Sequence, residues 1–263
     1  MIRALYSAAS GMKAQEINVD NISNNLANAN TVGYKMRRAQ FQDLMYQSLV
    51  QPGTAAGQQT VVPTGLQLGL GTRASSNEIV FTQGAFTQTG NPLDLVIEGR
   101  GFFQVRMPSG ELAYTRAGEF HTDKDGNIVT SDGNPIEPQI TIPRDAQQVA
   151  IATDGTVSYT LPNQTAAQQA GQIQLANFQN PAGMNSIGRS LYTPTDASGD
   201  PNVGTPGGQE GMGSLLQGYV EQSNVSIVDE FINLIQAQRG YEANSKVVQA
   251  ADQMYQQVNN ISR

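Results

Sequence analysis

The chain contains 263 residues, enough to bury a substantial core in one main domain with a smaller terminal unit. It has no cysteine, so disulfides and thiolate chemistry are excluded. The net charge of −7 argues against nucleic acid and anionic lipid as partners, because both require a basic surface. Asn and Gln together outnumber the charged residues, and neutral amides allow identical surfaces to meet without like-charge repulsion.

The N-terminal segment has the spacing of an amphipathic helix, predicted from residue 5 to residue 31. Its apolar residues recur every seven positions, at Leu5, Met12, Val19 and Leu26. With Leu5 as heptad position a, the d positions are Ala8, Gln15, Ile22 and Ala29. Asn and Gly tolerate the left-handed conformation that ends many helices, and three such residues follow the stripe: Asn28, Asn30 and Gly33. No continuous apolar stretch follows Arg3, so neither a cleaved signal peptide nor a membrane span is expected.

The next segment lacks a clear period. Residues 36–50 contain Phe41, Leu44 and Met45 and are compatible with a short helix. Residues 51–71 are rich in Gly, Gln, Thr and Pro, which predicts an extended connector.

Beyond residue 79 the pattern changes to short β runs, which predicts an all-β middle domain. The runs are 79–82, 93–98, 102–107, 112–116, 127–130, 140–142, 149–152 and 156–160. Ser-Gly and Asp-Gly turn pairs end at Gly110, Gly126, Gly133 and Gly155. Residues 196–213 are again polar and rich in Gly and Pro, and predict a loop.

The C-terminal segment predicts a second long helix, from residue 226 to residue 261. Ser226 followed by Asp229 forms a capping box at its start. The heptad stripe is Ile227, Leu234, Tyr241, Val248 and Tyr255, and its d positions are Glu230, Ala237, Asn244, Ala251 and Val258. Gly11 and Gly240 each cost about 1 kcal/mol in a helix interior, which indicates close backbone contact or marginal stability.

Catalytic and metal signals are weak. His121 is the only histidine, and no nucleophile elbow accompanies it. Asp123, Asp125 and Asn127 begin like a calcium loop, but Ile128 occupies the position of the required glycine. These residues therefore predict hairpin turns, and the sequence predicts no catalytic residue, metal or cofactor.

Three motifs in chain order resemble signatures of the flagellar rod and hook family, the axial proteins of the bacterial flagellum. The N-terminal motif is SAASGM at 7–12 with NNLANANTVGYK at 24–35. The β-domain motif is NPLDLVIEGRGFF at 91–103 with YTRAG at 114–118. The C-terminal motif is GYVEQSNV at 218–225 with QAQRGYEANSK at 236–246. One departure is Gly240, where the family commonly has alanine.

The resemblance implies an α+β fold in which long N- and C-terminal helices pair in a coiled-coil-like unit and a mainly antiparallel β domain is inserted between them. The implied divisions are 1–33 and 226–263 for the inner tube helices, 34–72 for the connector and 73–225 for the outer β domain. The chain length and the stretches YQSLVQPG and PTGLQLG resemble the subunits of the distal rod. The residues that carry this rod-type stretch are Tyr46, Gln51, Pro52, Gly53, Pro63 and Gly65.

The function implied is a structural, non-enzymatic subunit of a hollow helical shaft that transmits torque to the hook and passes exported subunits. The implied partners are further copies of the chain, proximal rod proteins, hook or hook-junction subunits, the P and L rings, the rod cap and the flagellar type III export apparatus. Nucleic acid and membrane insertion are not expected, and the expected location is the rod where it crosses the periplasm. The alternatives are another rod or short hook subunit and a secreted cell-wall hydrolase.

Self-assembly is expected through the terminal helices. The residues expected to take part are Leu5, Met12, Val19, Ile22, Asn24, Asn25, Leu26, Asn28, Asn30, Gly33, Tyr34, Leu234, Tyr241, Asn244, Val248 and Tyr255. For each of them the alternative is packing within one subunit, and the sequence does not separate the two.

Overall fold

The computed structural model describes residues 2–52, 64–162, 166–208 and 211–261. The chain separates into two compact units. Unit 1 comprises Met1–Ala27, Arg37–Glu78 and Ser226–Arg263, and unit 2 comprises Asn28–Met36 and Ile79–Val225. The α+β class is confirmed, and the four-segment domain division stays a prediction.

Unit 1 is built around the two long helices, α1 (Ile2–Ala27) and α2 (Ile227–Ile261). Two strand pairs accompany them. In one, β1 (Arg37–Asp43) pairs with β4 (Thr72–Ile79). In the other, β2 (Tyr46–Val50) lies antiparallel to β3 (Leu66–Gly69).

Unit 2 is an antiparallel β structure. Its strands are β5 (Phe86–Gln88), β6 (Leu95–Glu98), β7 (Phe102–Arg106), β8 (Leu112–Thr115), β9 (Phe120–Thr122), β10 (Ile128–Thr130), β11 (Ile136–Glu137), β12 (Gln148–Ile151), β13 (Thr156–Thr160), β14 (Gln168–Gln172), β15 (Leu175–Asn177), β16 (Asn185–Gly188), β17 (Leu191–Thr193), β18 (Asn202–Gly204), β19 (Ser214–Gln217) and β20 (Tyr219–Glu221). The largest sheet has the order β16-β17-β8-β7-β15-β18, with β11 also paired to β7. β12, β13 and β14 form a second sheet, and the remaining strands form the pairs β9-β10, β6-β19 and β5-β20.

The core of unit 2 has an aliphatic part and an aromatic part. Ile136, Ile173 and Leu175 are fully buried in the aliphatic part. In the aromatic part, the rings of Tyr114 and Phe178 meet edge to face with centroids 4.8 Å apart. Burying one such side chain stabilises the folded state by roughly 1.5–3 kcal/mol. All residues of these two clusters belong to unit 2, so the unit has a core of its own.

The predicted turn chemistry of unit 2 is confirmed at the Asp-Gly pairs. Gly126 has φ +81° and donates its N–H to the Asp123 carbonyl at 2.9 Å. This hydrogen bond closes the hairpin between β9 and β10, so the Asp123 to Asn127 segment is a turn. Gly133 has the same φ and donates to the Thr130 carbonyl at 2.8 Å.

Several predicted elements were wrong. Residues 36–50 form no helix but contain β1 and β2. These strands form because each pairs with a strand later in the chain, β1 with β4 and β2 with β3. Residues 140–142 form only an isolated bridge, Asn127 to Thr141. β18 lies inside the predicted loop at 196–213, and β3 lies inside the predicted connector.

The helix ends differ only slightly from prediction. α1 ends at Ala27, before the predicted residue 31, because the Asn28 carbonyl accepts a tight-turn hydrogen bond from Thr31 N at 3.1 Å. At the start of α2, the Ser226 hydroxyl accepts a hydrogen bond from Asp229 N at 3.4 Å, which confirms the predicted N-cap.

Candidate assembly surface

The two helices of unit 1 lie antiparallel in a constant register. Asn25 Nδ2 donates to Glu230 Oε2 at 3.4 Å. A Cβ placed on Gly240 would lie 3.3 Å from Gln15 Cδ, and one on Gly11 would lie 2.7 Å from Asn244 Nδ2. From one of these contacts to the next, the residue number on α1 decreases by as much as the residue number on α2 increases. Both helical glycines therefore permit close approach of the partner helix.

The buried seam of the helix pair consists mainly of small and polar residues, with Ile22 as a larger apolar member. The buried positions are Ala8, Ala14, Ile22 and Asn25 on α1, and Glu230, Ala237 and Ala251 on α2. Most of them are heptad d positions, whereas Leu5, Met12, Val19 and Leu26 are only half-buried. Since small residues fill the seam, the larger apolar residues remain outside it.

The first turns of α2 carry a continuous apolar surface, which we call the α2 patch. Its members are 44–69% exposed and are Ile227, Val228, Phe231, Ile232 and Ile235. Their spacing places them on one broad face of the helix. Large contiguous apolar patches are rare on monomeric proteins and mark surfaces that associate.

The β2–β3 hairpin is a second exposed apolar element of unit 1. Every residue of both strands is exposed, although successive strand residues point to opposite faces. Its exposed large side chains include Tyr46, Leu49, Val50, Leu66 and Leu68. Neither face is therefore covered by the described part of the chain.

The rod-type residues lie at this hairpin, except for Gly53 and Pro63, which are outside the described residues. Tyr46 is paired with Gly69, where a Cβ would lie 3.3 Å from the tyrosine ring. A Cβ on Gly65 would lie 2.6 Å from the Val50 carbonyl oxygen, so only glycine fits there. Gln51 and Pro52 are exposed at the end of β2.

The predicted assembly residues divide by burial. Ile22, Asn25 and Gly33 are buried within one subunit. Asn24, Asn30 and Tyr241 are exposed. The remainder are half-buried: Leu5, Met12, Val19, Leu26, Asn28, Tyr34, Leu234, Asn244, Val248 and Tyr255. Their roles in self-assembly stay predictions.

Asn25 has a structural use inside unit 1. Its Oδ1 accepts a hydrogen bond from Arg37 N, and its Nδ2 donates to the Arg37 carbonyl, both at 2.9 Å. The side-chain amide thus satisfies both backbone groups of one residue at the start of β1.

Gly33 has a structural use inside unit 2. Its φ is +68°, and a Cβ there would lie 2.5 Å from Ala117 N. Its N–H donates to the Glu221 carbonyl at 2.8 Å. A side chain at this position would conflict with both the backbone conformation and the available space.

A buried ion-pair cluster in unit 2 was missed by the sequence reasoning. Lys35 Nζ lies 2.6 Å from Glu221 Oε1, with the two side chains 0% and 1% exposed. Lys35 also donates to the Thr82 carbonyl at 2.7 Å, and Gly84 N donates to Glu221 Oε1 at 2.9 Å. Burial lowers the pKa of Lys35, an effect that the Glu221 carboxylate opposes.

Arg116 completes this cluster. Its NH1 lies 3.6 Å from Glu221 Oε2, and its guanidinium donates to the carbonyls of Ile97 and Gly99. Burial lowers the pKa of Arg116, and Glu221 again opposes the shift. Glu221 is therefore the counterion of two buried cations. The sequence offered one indication of this cluster, because Lys35, Arg116 and Glu221 each lie inside one of the three family motifs.

Asn224 fixes the same part of unit 2. Its Oδ1 accepts from Met36 N at 2.7 Å, and its Nδ2 donates to the Val80 carbonyl at 2.8 Å. The segment that carries Lys35 is thereby held by side chains that precede α2 in sequence.

The described residues contain no cluster of His, Asp and Glu side chains suited to a metal ion. His121 is exposed on β9. Among the described residues, neither long helix is apolar enough to cross a lipid bilayer.

Taken together, the fold is that of a structural subunit whose terminal helices pair with each other and present exposed apolar surface. Three family models match the chain in order. They are the flagella basal body rod protein model at residues 5–35, the flagellar hook protein FlgE/F/G D1 domain at 96–159, and the flagellar basal body rod FlgEFG protein C-terminal model at 216–261.

Curated relatives match over nearly the whole chain. The chain is 50% identical over 256 residues to the flagellar basal-body rod protein FlgG of Caulobacter vibrioides, which covers 97% of each protein. It is 47% identical to FlgG of Buchnera aphidicola subsp. Schizaphis graminum, covering 99% of this chain and all of the relative. It is 44% identical to FlgG of Borreliella burgdorferi, with both chains fully covered.

The chain belongs to the FlgG family of flagellar basal-body rod proteins. It is a structural protein of the flagellar rod in bacterial motility and is not an enzyme, which confirms the predicted resemblance and excludes the hydrolase alternative.

Proposed function

We propose that this chain is a distal rod subunit that self-assembles into a hollow helical shaft. The shaft transmits motor torque to the hook and lets exported subunits pass through its channel. The observation that carries this proposal is the α2 patch, which stays exposed on a helix pair whose own seam is already filled. Burying this patch against other copies would supply the hydrophobic driving force for assembly.

In the proposed shaft, the terminal helices form the inner layer and pack in a coiled-coil-like manner, while residues 73–225 form the outer layer. The interface is head-to-tail, because a rotation that does not close produces a helix and not a ring. The half-buried apolar residues Leu5, Met12, Val19, Leu234 and Val248 provide further apolar contacts at other levels along the helix pair. The β2–β3 hairpin provides a second apolar contact to a neighbouring copy.

The proposed partners follow from the same assembly. They are the proximal rod proteins, hook or hook-junction subunits, the P and L rings and the rod cap. We further propose that the chain reaches the rod, where it crosses the periplasm, through the flagellar type III export apparatus without cleavage of its N-terminus.

Electron microscopy of concentrated protein tests the proposal. Phe231→Asp with Ile235→Asp should abolish filaments that the wild-type chain forms, because carboxylates at the centre of the α2 patch would have to be desolvated. The matched control is Gln236→Asp with Gln249→Asp, at exposed polar positions of the same helix. Filaments of equal yield from both variants would contradict the role of the patch.

A further inference from the structure

Between α1 and α2 lies a groove of about 390 Å³ that belongs to unit 1. Its lining residues are Glu16, Val19, Asp20, Gln238, Tyr241 and Glu242. Val19 and Tyr241 provide the apolar surface, and Tyr241 is 47% exposed. The groove therefore has room for a side chain supplied from outside the helix pair.

The rim of the groove is acidic. It carries three carboxylates, those of Glu16, Asp20 and Glu242. Lys13 pairs with Glu16 at 3.1 Å, and Arg239 pairs with Glu242 at 3.5 Å. Two cations therefore offset two of the carboxylates, and one net negative charge remains beside the apolar surface. An aromatic side chain accompanied by a cation would complement this combination.

The first turn of α1 presents an aromatic side chain beside a cation. Tyr6 is 59% exposed, and Arg3 is exposed three residues before it. Residues three apart lie on the same face of a helix, so the cation and the aromatic ring are neighbours. Tyrosine adds a large contact area with little conformational entropy to lose, which makes it a favourable interface residue.

These side chains cannot fill the groove of their own chain. Tyr6 and Val19 are separated by about 20 Å along α1, at 1.5 Å per residue. Tyr241 lies across from the middle of α1 in the observed register, about 12 Å along the axis from Tyr6. Tyr6 can therefore enter such a groove only from a second copy, in a head-to-tail contact.

We infer that the groove receives Tyr6 of a neighbouring copy, with Arg3 of that copy beside Asp20. This contact deepens the proposed self-assembly and rests on it. In this head-to-tail interface one copy contributes the first turn of α1, and its neighbour contributes the groove between α1 and α2.

Disulfide trapping tests the contact, because the chain contains no cysteine of its own. Tyr6→Cys with Tyr241→Cys should give a ladder of covalent oligomers when filaments are oxidised. A disulfide requires Cα atoms about 4.4–6.8 Å apart, so a bond within one chain is excluded by the axial separation. The matched control is Tyr6→Cys with Gln236→Cys, because Gln236 is exposed on a different face of α2.

A ladder from the first pair and none from the control supports the contact. Filaments without a ladder, or equal ladders from both pairs, would overturn it while leaving self-assembly intact. Failure of the wild-type chain to form any polymer would instead overturn the proposed assembly together with the contact.

Charge exchange provides an independent test without a change in Tyr6 or Tyr241. Arg3→Glu and Asp20→Arg should each raise the critical concentration for assembly about threefold to tenfold. The double variant Arg3→Glu with Asp20→Arg should return it towards the wild-type value, because the pair is restored with reversed signs. Additive losses in the double variant would overturn the pairing of Arg3 with Asp20.

Discussion

Units 1 and 2 use their apolar side chains in opposite ways. In unit 2 most of the large apolar residues are buried, as Phe103, Phe120 and Tyr114 illustrate. In unit 1 alanines fill the helix seam, and large residues such as Phe231 and Ile235 are exposed. Unit 2 therefore has a core of its own, whereas unit 1 carries large apolar side chains that the described part of the chain leaves exposed.

The charged residues show the same contrast. Unit 2 buries Lys35, Arg116 and Glu221 together. The ion pairs of the unit 1 helices, Lys13–Glu16 and Arg239–Glu242, are exposed. Exposed pairs contribute little to stability, whereas breaking a buried pair leaves a charge without compensation. Breaking one of these ion pairs should therefore have a much larger effect in unit 2 than on the helices of unit 1.

The largest effect is expected from Glu221→Gln. This change leaves two buried cations without their counterion and should lower the free energy of unfolding of unit 2 by about 3–5 kcal/mol. Urea denaturation followed by near-ultraviolet circular dichroism measures it. The control is Glu137→Gln, which breaks the more exposed pair with Arg106 and should change stability by less than about 1 kcal/mol. Equal effects of the two substitutions would contradict the contrast.

A smaller effect is expected from Ala237→Leu in the helix seam. Ala237 is 3% exposed, so the added carbon atoms should force the helices of unit 1 apart and destabilise them by about 1–3 kcal/mol. Loss of helical circular dichroism at a lower urea concentration would report this. Ala243→Leu on the exposed surface of α2 is the control and should remain within about 0.5 kcal/mol of wild type. A seam that tolerates leucine equally well would show that the helices are not closely packed.

The smallest effect is expected from Gly240→Ala, which should stabilise α2 by about 0.5 kcal/mol. The gain in helix propensity approaches 1 kcal/mol, and part of it is offset because Gln15 must move a few tenths of an ångström. Thermal unfolding followed at the helical band measures the change. The reverse substitution Ala243→Gly should destabilise the same helix by a similar amount, and a stabilised glycine variant would refute the propensity argument.

Much of the fold could be predicted because its signals are local. Heptad spacing located both helices to within a few residues, and Asp-Gly pairs located hairpins. The helix in residues 36–50 was predicted wrongly, since the partner of β1 lies some thirty residues later and pairing over that separation leaves no local period. The strand at 202–204 was missed for the same reason, since its partner is β15. At 140–142 the opposite error occurred, because Ile140 and Ile142 are buried in the core without forming a strand.

The surface was harder to predict than the fold. The seven-residue stripe identified helices made for helical partners, but the stripe alone did not reveal that the d positions Ala237 and Ala251 would form the seam. Phe231 and Ile235 lie outside the seven-residue stripe, so the stripe did not indicate that they form an exposed apolar surface. Lys35 and Glu221 lie far apart in sequence, so nothing local indicated that one would neutralise the other.

Hydrogen exchange of dilute subunits and of assembled filaments tests the contrast between the units most directly. The amides of α1 and α2 should exchange faster than those of β7 and β8 in the dilute subunit, because helices without a partner for their apolar face are marginally stable. On assembly, the amides around the α2 patch should gain protection while β7 and β8 change little. Helices that are fully protected in the dilute subunit, with no gain on assembly, would contradict the account.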